Sequence, residues 1–381
     1  MLDEHARAGL KAIEERRFDD AVKAFQAAHA LAPERPDINH ALGMAFLRRG
    51  DAGNALPRLE DAVRLAEPYT APEHQALRRD FHLSLATAQQ LLDRVAEARA
   101  TLEQVVRTWP DAVEARLQLG QLLLSSGQVQ EGCTAYDEAG EWLDREQREQ
   151  AEALVGATRA FLEADTAPSV FLEAHGDSYR QYFDQVASAP EVEGWYAEAE
   201  RMKRGEGGEL QPVLPKGARP YALSRVDLVD PATGQVSSVY SESEPMIVAI
   251  EGLEPLAQVP IVMPWAGFPF EVGVSTRCPW HWLSLVVQLQ GRADAAALAA
   301  VDEVIGAWYL DGYNGTFGDQ SSGRFHYVTD PEPVGSTAVA YTVDLGRARF
   351  EAIGALLERL QALHDRLPLR RVQFGEGRIT A

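Results

Sequence analysis

The sequence predicts an array of α-helical repeats followed by an α+β domain. Three observations lead to this fold class. In the first part of the chain, a pattern of small and large apolar residues recurs every 34 residues. Beyond about residue 220, the apolar periodicity changes from about 3.6 to 2, which is the change expected from helices to strands. The final hundred residues then alternate between strand-like and helix-like segments in the order β-α-β-β-α-β.

Composition restricts the classes of partner that the protein can have. The 381 residues include 57 acidic and 36 basic side chains, which gives a formal net charge of −21 at pH 7. A chain this acidic repels the phosphate backbone of nucleic acids and the head groups of anionic lipids. Neither a nucleic acid nor a membrane is therefore an expected partner. The sequence shows no signal-peptide pattern, no long apolar run and only two cysteines. We therefore expect a soluble, cytoplasmic protein without a disulfide framework.

The repeat is clearest in the first two copies of a predicted helix pair. Ala21, Phe25, Ala28 and Pro33 have the small-large-small-Pro spacing of a second helix, and Gly9 provides the small residue of the first helix. Thirty-four residues later, the same positions are held by Gly43, Ala55, Leu59 and Ala62. Because each helix pair can bury its apolar stripe only against its neighbours, such copies are expected to stack into a solenoid.

Two further copies follow. The third is offset by 43 residues, because about nine residues around the segment AEPYTAPEH lengthen a connection. Its pattern is carried by Leu85, Ala86, Ala98, Leu102 and Pro110. The fourth returns to the offset of 34 residues, with Leu119, Gly120, Gly132, Tyr136 and Ala139. We predict that the paired helices break near residues 15–19, 49–51, 92–95 and 126–128.

Residues 1–146 thus resemble the tetratricopeptide repeat (TPR) family. The resemblance implies a concave groove, lined by the first helix of each pair, that holds another protein. The implied partner-binding residues are Leu10 and Ile13 in the first copy, His40, Met44 and Leu47 in the second, Leu83, Thr87 and Gln90 in the third, and Leu117, Gln121 and Leu124 in the fourth. Family members that hold a peptide carboxylate use Lys and Asn where this chain has Ala6 and Leu10. The expected ligand is therefore an amphipathic helix or an extended internal segment.

Three segments follow the array. Residues 147–203 are rich in Ala and Glu and are predicted to form a helical cap or extension of the repeats. Residues 204–220 are dense in Gly and Pro and are predicted to be a linker, with a domain boundary near residue 205. Residues 221–381 form the predicted α+β domain.

The α+β domain is predicted to begin with a β-hairpin, YALSRVDLV and QVSSVYS, followed by a third strand, MIVAI. Residues 252–280 are rich in Pro and aromatic residues, and we expect irregular structure packed over a sheet. Residues 281–381 contain the β-α-β-β-α-β pattern, which is that of a ferredoxin-like split βαβ sandwich.

Few residues of this domain suggest chemistry. Cys278 and His281 could supply two zinc ligands, with His326 as a third, but a tetrahedral site needs more. A Cys–His nucleophile pair would also need a third, orienting group. The segment 311–319 lacks the register of a calcium loop, and it is better suited to be a contact loop. Its candidate contact residues are Asp311, Tyr313, Asn314, Phe317 and Asp319. We predict no catalytic residue, no metal site and no cofactor.

The sequence therefore favours a non-enzymatic scaffold or adaptor that binds a partner peptide or domain through its repeat groove. Two alternatives stay open. The α+β domain could be an enzyme or a small-ligand sensor whose target the repeats recruit, in which case a deep polar pocket should lie near Cys278, His281, Asp311 or His326. The groove could instead be filled by the chain's own C-terminal domain.

Overall fold

The computed structural model describes most of the chain, in ranges separated by gaps. These ranges are 1–188, 202–204, 210–212, 224–229, 236–241, 250, 253–318, 325 and 327–376. The chain divides into two compact units, Met1–Thr158 and Arg159–Ile379. This division falls inside a helix, whereas the sequence predicted a boundary near residue 205. Of the predicted linker 204–220, only Arg204 and Leu210–Pro212 lie within the described residues.

The first unit consists of helix pairs. Their helices are α1 Leu2–Glu14, α2 Phe18–Leu31, α3 Pro36–Arg48, α4 Ala52–Ala66, α5 Gln75–Leu91, α6 Val95–Thr108, α7 Val113–Ser125 and α8 Val129–Ala139. A short 3-10 helix, Pro72–His74, lies in the lengthened connection before α5, and α9, Arg145–Glu163, follows α8. The breaks inside the four pairs lie where the sequence predicted them, which confirms the repeat register.

The turns inside the pairs share one backbone conformation. Gly50 and Gly127 have φ values of 84° and 83°, and Arg16 and Asp93 take φ values of 57° and 54° at the equivalent positions of the other two pairs. This left-handed conformation suits glycine, because a Cβ atom crowds the following carbonyl oxygen there. The four turn residues are separated by 34, 43 and 34 positions, as the repeats themselves are. The repeat is therefore preserved in the backbone even where glycine is absent.

Small residues allow the helices of a pair to approach closely. A Cβ atom added at Gly9 would lie 2.7 Å from the ring of Phe25, and one at Gly43 would lie 2.7 Å from Leu59. Phe25 and Leu59 are themselves buried in one apolar cluster with Leu42 and Phe46. The residue classes that defined the repeat in the sequence are therefore the ones that build its core.

The second unit contains α10 Ser169–Ser188, α11 Glu254–Gln258, α12 Ala295–Tyr313 and α13 Glu351–His364. Its strands are β1 Met202–Arg204, β2 Leu210–Pro212, β3 Ser224–Val229, β4 Val236–Ser241, β5 Val262–Trp265, β6 Glu271–Ser275, β7 Leu283–Leu289, β8 Tyr327–Val328, β9 Glu332–Val334, β10 Ala338–Asp344 and β11 Leu369–Glu376. Strands β3 and β4 pair antiparallel, which confirms the predicted hairpin. The predicted strand MIVAI lies outside the described residues, except for Ile250.

The main sheet has the order β5-β6-β11-β7-β10-β8, and β9 also pairs with β10. All pairs are antiparallel except β6 with β11, which is parallel. The expectation of irregular structure over residues 252–280 is wrong, because this segment contains α11, β5 and β6. Pro264 is tolerated in β5 because that strand lies at the edge of the sheet. One side of an edge strand has no neighbouring strand, so a missing backbone N–H on that side removes no hydrogen bond between strands.

Helix α12 lies on one face of this sheet. Cross-strand pairing places Leu285, Tyr341 and Phe374 side by side, and all three are buried. The hydroxyl of Tyr341 donates to Oδ1 of Asp302 on α12 at 3.5 Å, so this is the face that α12 covers. Helix α13 packs beside α12, where the indole N–H of Trp308 donates to the carbonyl oxygen of Ala352 at 2.8 Å. The predicted strand–helix order of the last hundred residues therefore gives a sheet with two helices.

Candidate functional site

The groove residues that the sequence predicted differ widely in exposure. Leu10 on α1 has 57% of its surface exposed, and Gln121 on α7 is also exposed. The remaining accessible members are half-buried, and they are Ile13, His40, Met44, Leu47, Thr87, Gln90 and Leu117. Ile13 and Leu47 pack partly against the apolar cluster of the first two pairs. The face formed by the first helices therefore keeps an accessible apolar strip, centred on Leu10 and Met44.

Leu83 and Leu124 are not part of that accessible strip. Leu83 is buried in a cluster with Leu102, and Leu124 is fully buried. A Cβ atom added at Gly132 would lie 2.7 Å from Leu124, so the leucine fills the space that this glycine leaves on the second helix of its pair. The prediction that these two leucines face an open groove is therefore corrected. Their side chains belong to the packing within their own helix pairs.

His40 joins the second and third pairs. Its Nε2 atom and the Oγ atom of Ser84 share a hydrogen bond of 2.9 Å, and its ring lies 4.6 Å from the ring of Phe81. Burial lowers the pKa of His40 from its ordinary value to about 4, because the charged imidazolium would lose its hydration. His40 is therefore neutral at physiological pH and acts as a polar tie between α3 and α5.

We expect His40 to make the first unit sensitive to acid. The unfolded chain binds a proton near pH 6.5 and the folded chain only near pH 4, so the free energy of unfolding falls as the pH drops through this window. The shift corresponds to about 3 kcal/mol for this one side chain. Denaturant titrations of the wild type and of His40→Gln at pH 7 and pH 4.5 measure the effect. A variant that loses as much stability as the wild type between these two pH values would contradict it, and His5→Gln at the start of α1 is the control.

A row of carboxylates lies beside the apolar strip, and sequence reasoning missed it. Asp3, Asp37, Asp80 and Glu114 are separated by 34, 43 and 34 residues, so they hold the same position in all four first helices. Each precedes a predicted groove residue (Leu10, Met44, Thr87 or Gln121) by seven positions, which is about two helical turns and places both on one helix face. Asp3, Asp80 and Glu114 are exposed, whereas Asp37 pairs with Arg35. The repeat register applied to charged residues would have found them.

A second omission is Leu91, which is half-exposed at the end of α5. It lies four residues after Thr87 and therefore on the same side of the helix. Leu10, Met44 and Leu91 together give three of the first helices an accessible apolar side chain.

The structure brings Cys278 next to His175 of α10, which the sequence did not single out. The backbone N–H of Cys278 donates to Nε2 of His175 at 3.4 Å. Burial, with a smaller contribution from the charge of Glu376, raises the pKa of the Cys278 thiol well above its ordinary value. The thiol therefore stays protonated at neutral pH, and it lacks the thiolate that a nucleophile needs.

His281 lies close to α10 as well, and its ring stacks on Tyr179 at 5.6 Å. Burial lowers the pKa of His281, while the charge of Asp344 opposes this shift. His326 lies outside the described residues. Among the residues that the structure describes, no three His, Cys, Asp or Glu side chains come together as a metal site. The contacts of Cys278, His175 and His281 therefore anchor α10 to the segment between β6 and β7.

The proposed contact loop begins inside α12. The helix continues to Tyr313, so Asp311 and Tyr313 lie on a helix rather than in a loop, and Asn314 caps its end. Asp311 forms an ion pair with Arg359 of α13. Phe317 is half-buried and stacks on Phe325 at 5.7 Å, and Asp319 lies outside the described residues. The Phe325 ring packs directly on the backbone of α12 at Gly312, where a Cβ atom would clash with it.

Comparison with known families identifies the first unit. The tetratricopeptide repeat model matches residues 7–70 and 83–153. The N-terminal part of this chain is a TPR array. The gap between the two matched ranges contains the lengthened connection before α5. No curated protein matches the chain in sequence.

Several solved structures resemble the chain. The alignment with the structure of MamA has 18% sequence identity and a TM-score of 0.36. It covers 43% of this chain and 85% of the MamA chain. The alignment with yeast Tom70 has 20% sequence identity and a TM-score of 0.38, and it covers 44% of this chain and 34% of the Tom70 chain. YrrB is described as a TPR protein with an unusual peptide-binding site. Its alignment has 18% sequence identity and a TM-score of 0.34, and it covers 41% of this chain and 75% of the YrrB chain. Within the described ranges, no helix is both long and apolar enough to cross a membrane.

Proposed function

We propose that the protein is a non-enzymatic scaffold or adaptor that binds another protein through the first helices of its TPR array. The observation that carries this proposal is the pairing of an accessible apolar strip, Leu10 and Met44, with the carboxylate row that starts at Asp3. Apolar surface supplies most of the binding energy in such contacts, and charges at its border select the partner.

The chemistry of this face favours a particular kind of partner. The apolar strip suits one side of an amphipathic helix or alternate side chains of an extended segment. Carboxylates that recur in all four pairs suit a segment with regularly spaced Lys or Arg side chains. We therefore propose a basic, amphipathic segment of another protein as the ligand. An acidic partner would be repelled by this face and by the net charge of −21.

Two leucines of similar exposure provide a matched test. Leu10 on the first helix α1 is 57% exposed, and Leu31 at the end of the second helix α2 is 50% exposed. We expect Leu10→Glu to abolish capture of the partner, because a carboxylate would replace the most exposed apolar contact of the strip. The full-length chain serves as bait, and retained proteins are identified by mass spectrometry.

Leu31→Glu should retain the same partner, because it places an identical charge outside the proposed face. Both variants should keep the wild-type melting temperature within a few degrees, since substitutions at exposed sites usually change stability by less than about 0.5 kcal/mol. Capture that survives Leu10→Glu but not Leu31→Glu would assign binding to the second helices and reject the proposal.

We also propose a ferredoxin-like fold for the core of the second unit. The sheet order β11-β7-β10-β8 and its antiparallel pairing support it, because the predicted β-α-β-β-α-β strands then follow the order 4-1-3-2. Strands β5, β6 and β9 are additions to this core. The predicted domain boundaries remain part of the proposal. Limited proteolysis that cuts first within residues 204–220 would support them.

A further inference from the structure

Helix α10 is joined to the sheet of the second unit by polar contacts from one short stretch. The backbone N–H of Cys278, in the segment before β7, donates to Nε2 of His175 at 3.4 Å. Five residues further along α10, Nη1 of Arg180 donates to the carbonyl oxygen of Ala348, in the segment after β10, at 2.8 Å. The docking of α10 therefore includes a contact made by a titratable side chain.

The hydrogen bond at His175 requires the neutral form of the imidazole. A backbone N–H can only donate, so Nε2 of His175 must accept and cannot carry a proton. Only 6% of the His175 surface is exposed, so a protonated ring would lose its hydration as well as this hydrogen bond. Burial lowers the pKa of His175 from its ordinary value to about 4, opposed by a hydrogen bond to the backbone of Thr276 and aided by the charges of His281 and Arg277. Protonation of His175 and docking of α10 therefore oppose each other.

The charged groups around His175 do little to compensate a proton on its ring. Arg277 repels that proton, and Arg277 also forms an ion pair with Glu376 at 3.6 Å. Asp177 pairs with Arg180, so the carboxylates of Asp177 and Glu376 are both engaged by arginines. The titratable and charged groups on the elements packed around His175 are Asp177, Tyr179 and Arg180 on α10, Arg225 and Asp227 on β3, Glu271 on β6, Arg277, Cys278 and His281 between β6 and β7, Asp344 at the end of β10, and Glu376 at the end of β11.

The same interface contains an unsatisfied donor. The indole ring of Trp280 packs on α10 at Gly176, where an added Cβ atom would lie 3.3 Å from the ring. Trp280 is buried, and its indole N–H finds no acceptor among the residues that the structure describes. A buried donor without an acceptor is unfavourable, so it offsets part of the stabilisation that the packing of α10 provides. The docked state of α10 is therefore easier to reverse.

We propose that α10 is an acid-operated latch: protonation of His175 releases the helix from the segment between β6 and β7 and uncovers Cys278. The docked helix holds a neutral imidazole, whereas the released helix takes up a proton near pH 6.5. Docking is therefore strongest above pH 6.5 and weakens as the pH falls towards 4. Because α10 is the first complete helix of the second unit in chain order, its release lengthens the connection between the repeats and the sheet.

The reactivity of the Cys278 thiol reports the release. Cys278 is buried, so a pyridyl disulfide, which reacts with thiols even in acid, should label it only when α10 opens. The full-length chain carries Cys133→Ala, so that a single thiol remains. We expect the labelling rate, relative to that of a small thiol at the same pH, to rise about 50-fold between pH 7 and pH 4.5, because the released helix binds a proton more tightly than the docked one.

Two substitutions at His175 test the latch in opposite directions. His175→Gln keeps a neutral acceptor at every pH, so its labelling rate should stay low from pH 7 to pH 4.5. His175→Lys carries a permanent charge, so Cys278 should be labelled rapidly already at pH 7. His364→Asn on α13 is the matched control and should respond to acid as the wild type does, because Nδ1 of His364 also accepts a backbone N–H, that of Leu369 at 3.0 Å.

Hydrogen exchange read by mass spectrometry separates release of α10 from unfolding of the unit. At pH 4.5, after correction for the intrinsic exchange rate, residues 169–181 should lose protection while α12 and α13 keep theirs. Loss of protection in all three helices together would overturn the proposal. A wild-type labelling rate that does not rise in acid, or that rises equally in His175→Gln, would also overturn it. If His175→Gln does not fold, slow labelling of His175→Lys at pH 7 is the contradicting result.

Discussion

Replacing Phe25 by alanine is expected to lower the free energy of unfolding of the TPR array by about 3–5 kcal/mol, as for other buried aromatic side chains. Phe25 is fully buried, and its ring fills the space above Gly9 of the preceding helix. No neighbouring side chain can fill the cavity without moving a helix, because alanine and glycine already bring α1 and α2 close together. Denaturant titration followed by circular dichroism measures the loss.

The matched control for Phe25→Ala is Leu10→Ala, at an exposed apolar position of the same helix pair. We expect this control to change the free energy of unfolding by no more than about 0.5 kcal/mol. A loss below about 1 kcal/mol for Phe25→Ala would contradict the packing of the first pair.

The second unit should depend on Trp308 to a similar extent. Trp308 is fully buried on α12, its indole N–H donates to the carbonyl oxygen of Ala352, and its ring contacts Phe325 at 4.7 Å. Trp308→Ala removes this packing and the hydrogen bond to the Ala352 carbonyl, so we expect a loss of about 3–5 kcal/mol. Trp308→Phe should lose less, because it keeps most of the apolar volume.

Trp282 is the control for Trp308, because it is a tryptophan of the same unit that is about half exposed. In thermal unfolding, Trp308→Ala should lower the melting temperature most, Trp308→Phe less, and Trp282→Ala least. Equal losses for Trp308→Ala and Trp282→Ala would show that α12 and α13 do not depend on this contact.

The TPR array could be predicted from sequence because its signal is repeated. Each copy has the same pairing of a small residue with a large one, such as Gly9 with Phe25 and Gly43 with Leu59. Because the pairing recurs, a chance match is improbable, and the repeat register then gives the positions of the helix breaks. The helices and strands after residue 281 could be predicted for a related reason. Their apolar patterns are long, and β7 and β10 read as continuous strands.

The strands of residues 252–280 could not be predicted in this way. Strand β6 pairs in parallel with β11, about one hundred residues further along the chain, so no local pattern reveals the partner. Proline and aromatic residues in β5 also hide its alternation, and Pro264 is tolerated only because β5 is an edge strand. Sheet position is a tertiary property, and it decided the structure of this segment.

The exposure of the predicted groove residues could be predicted only in part, for a physical reason. Family positions identify a helix face, but the exposure of each side chain depends on its neighbour on the second helix. Gly132 draws Leu124 into the core, whereas Ile13 and Leu47, at the same repeat position, stay half-buried. The carboxylate row was missed because the register was applied to apolar residues alone, although the sequence contains all four acids at that spacing.

The most direct measurement of the central claim is photo-cross-linking from single positions of the TPR array. A photoreactive phenylalanine analogue placed at Leu10 on α1, or at Leu31 on α2, samples the first-helix face or a second helix. We predict a covalent adduct with the captured partner from position 10 and none from position 31, and the cross-linked peptide should be rich in Lys or Arg. An adduct from position 31 alone would contradict the assignment of the binding surface to the first helices.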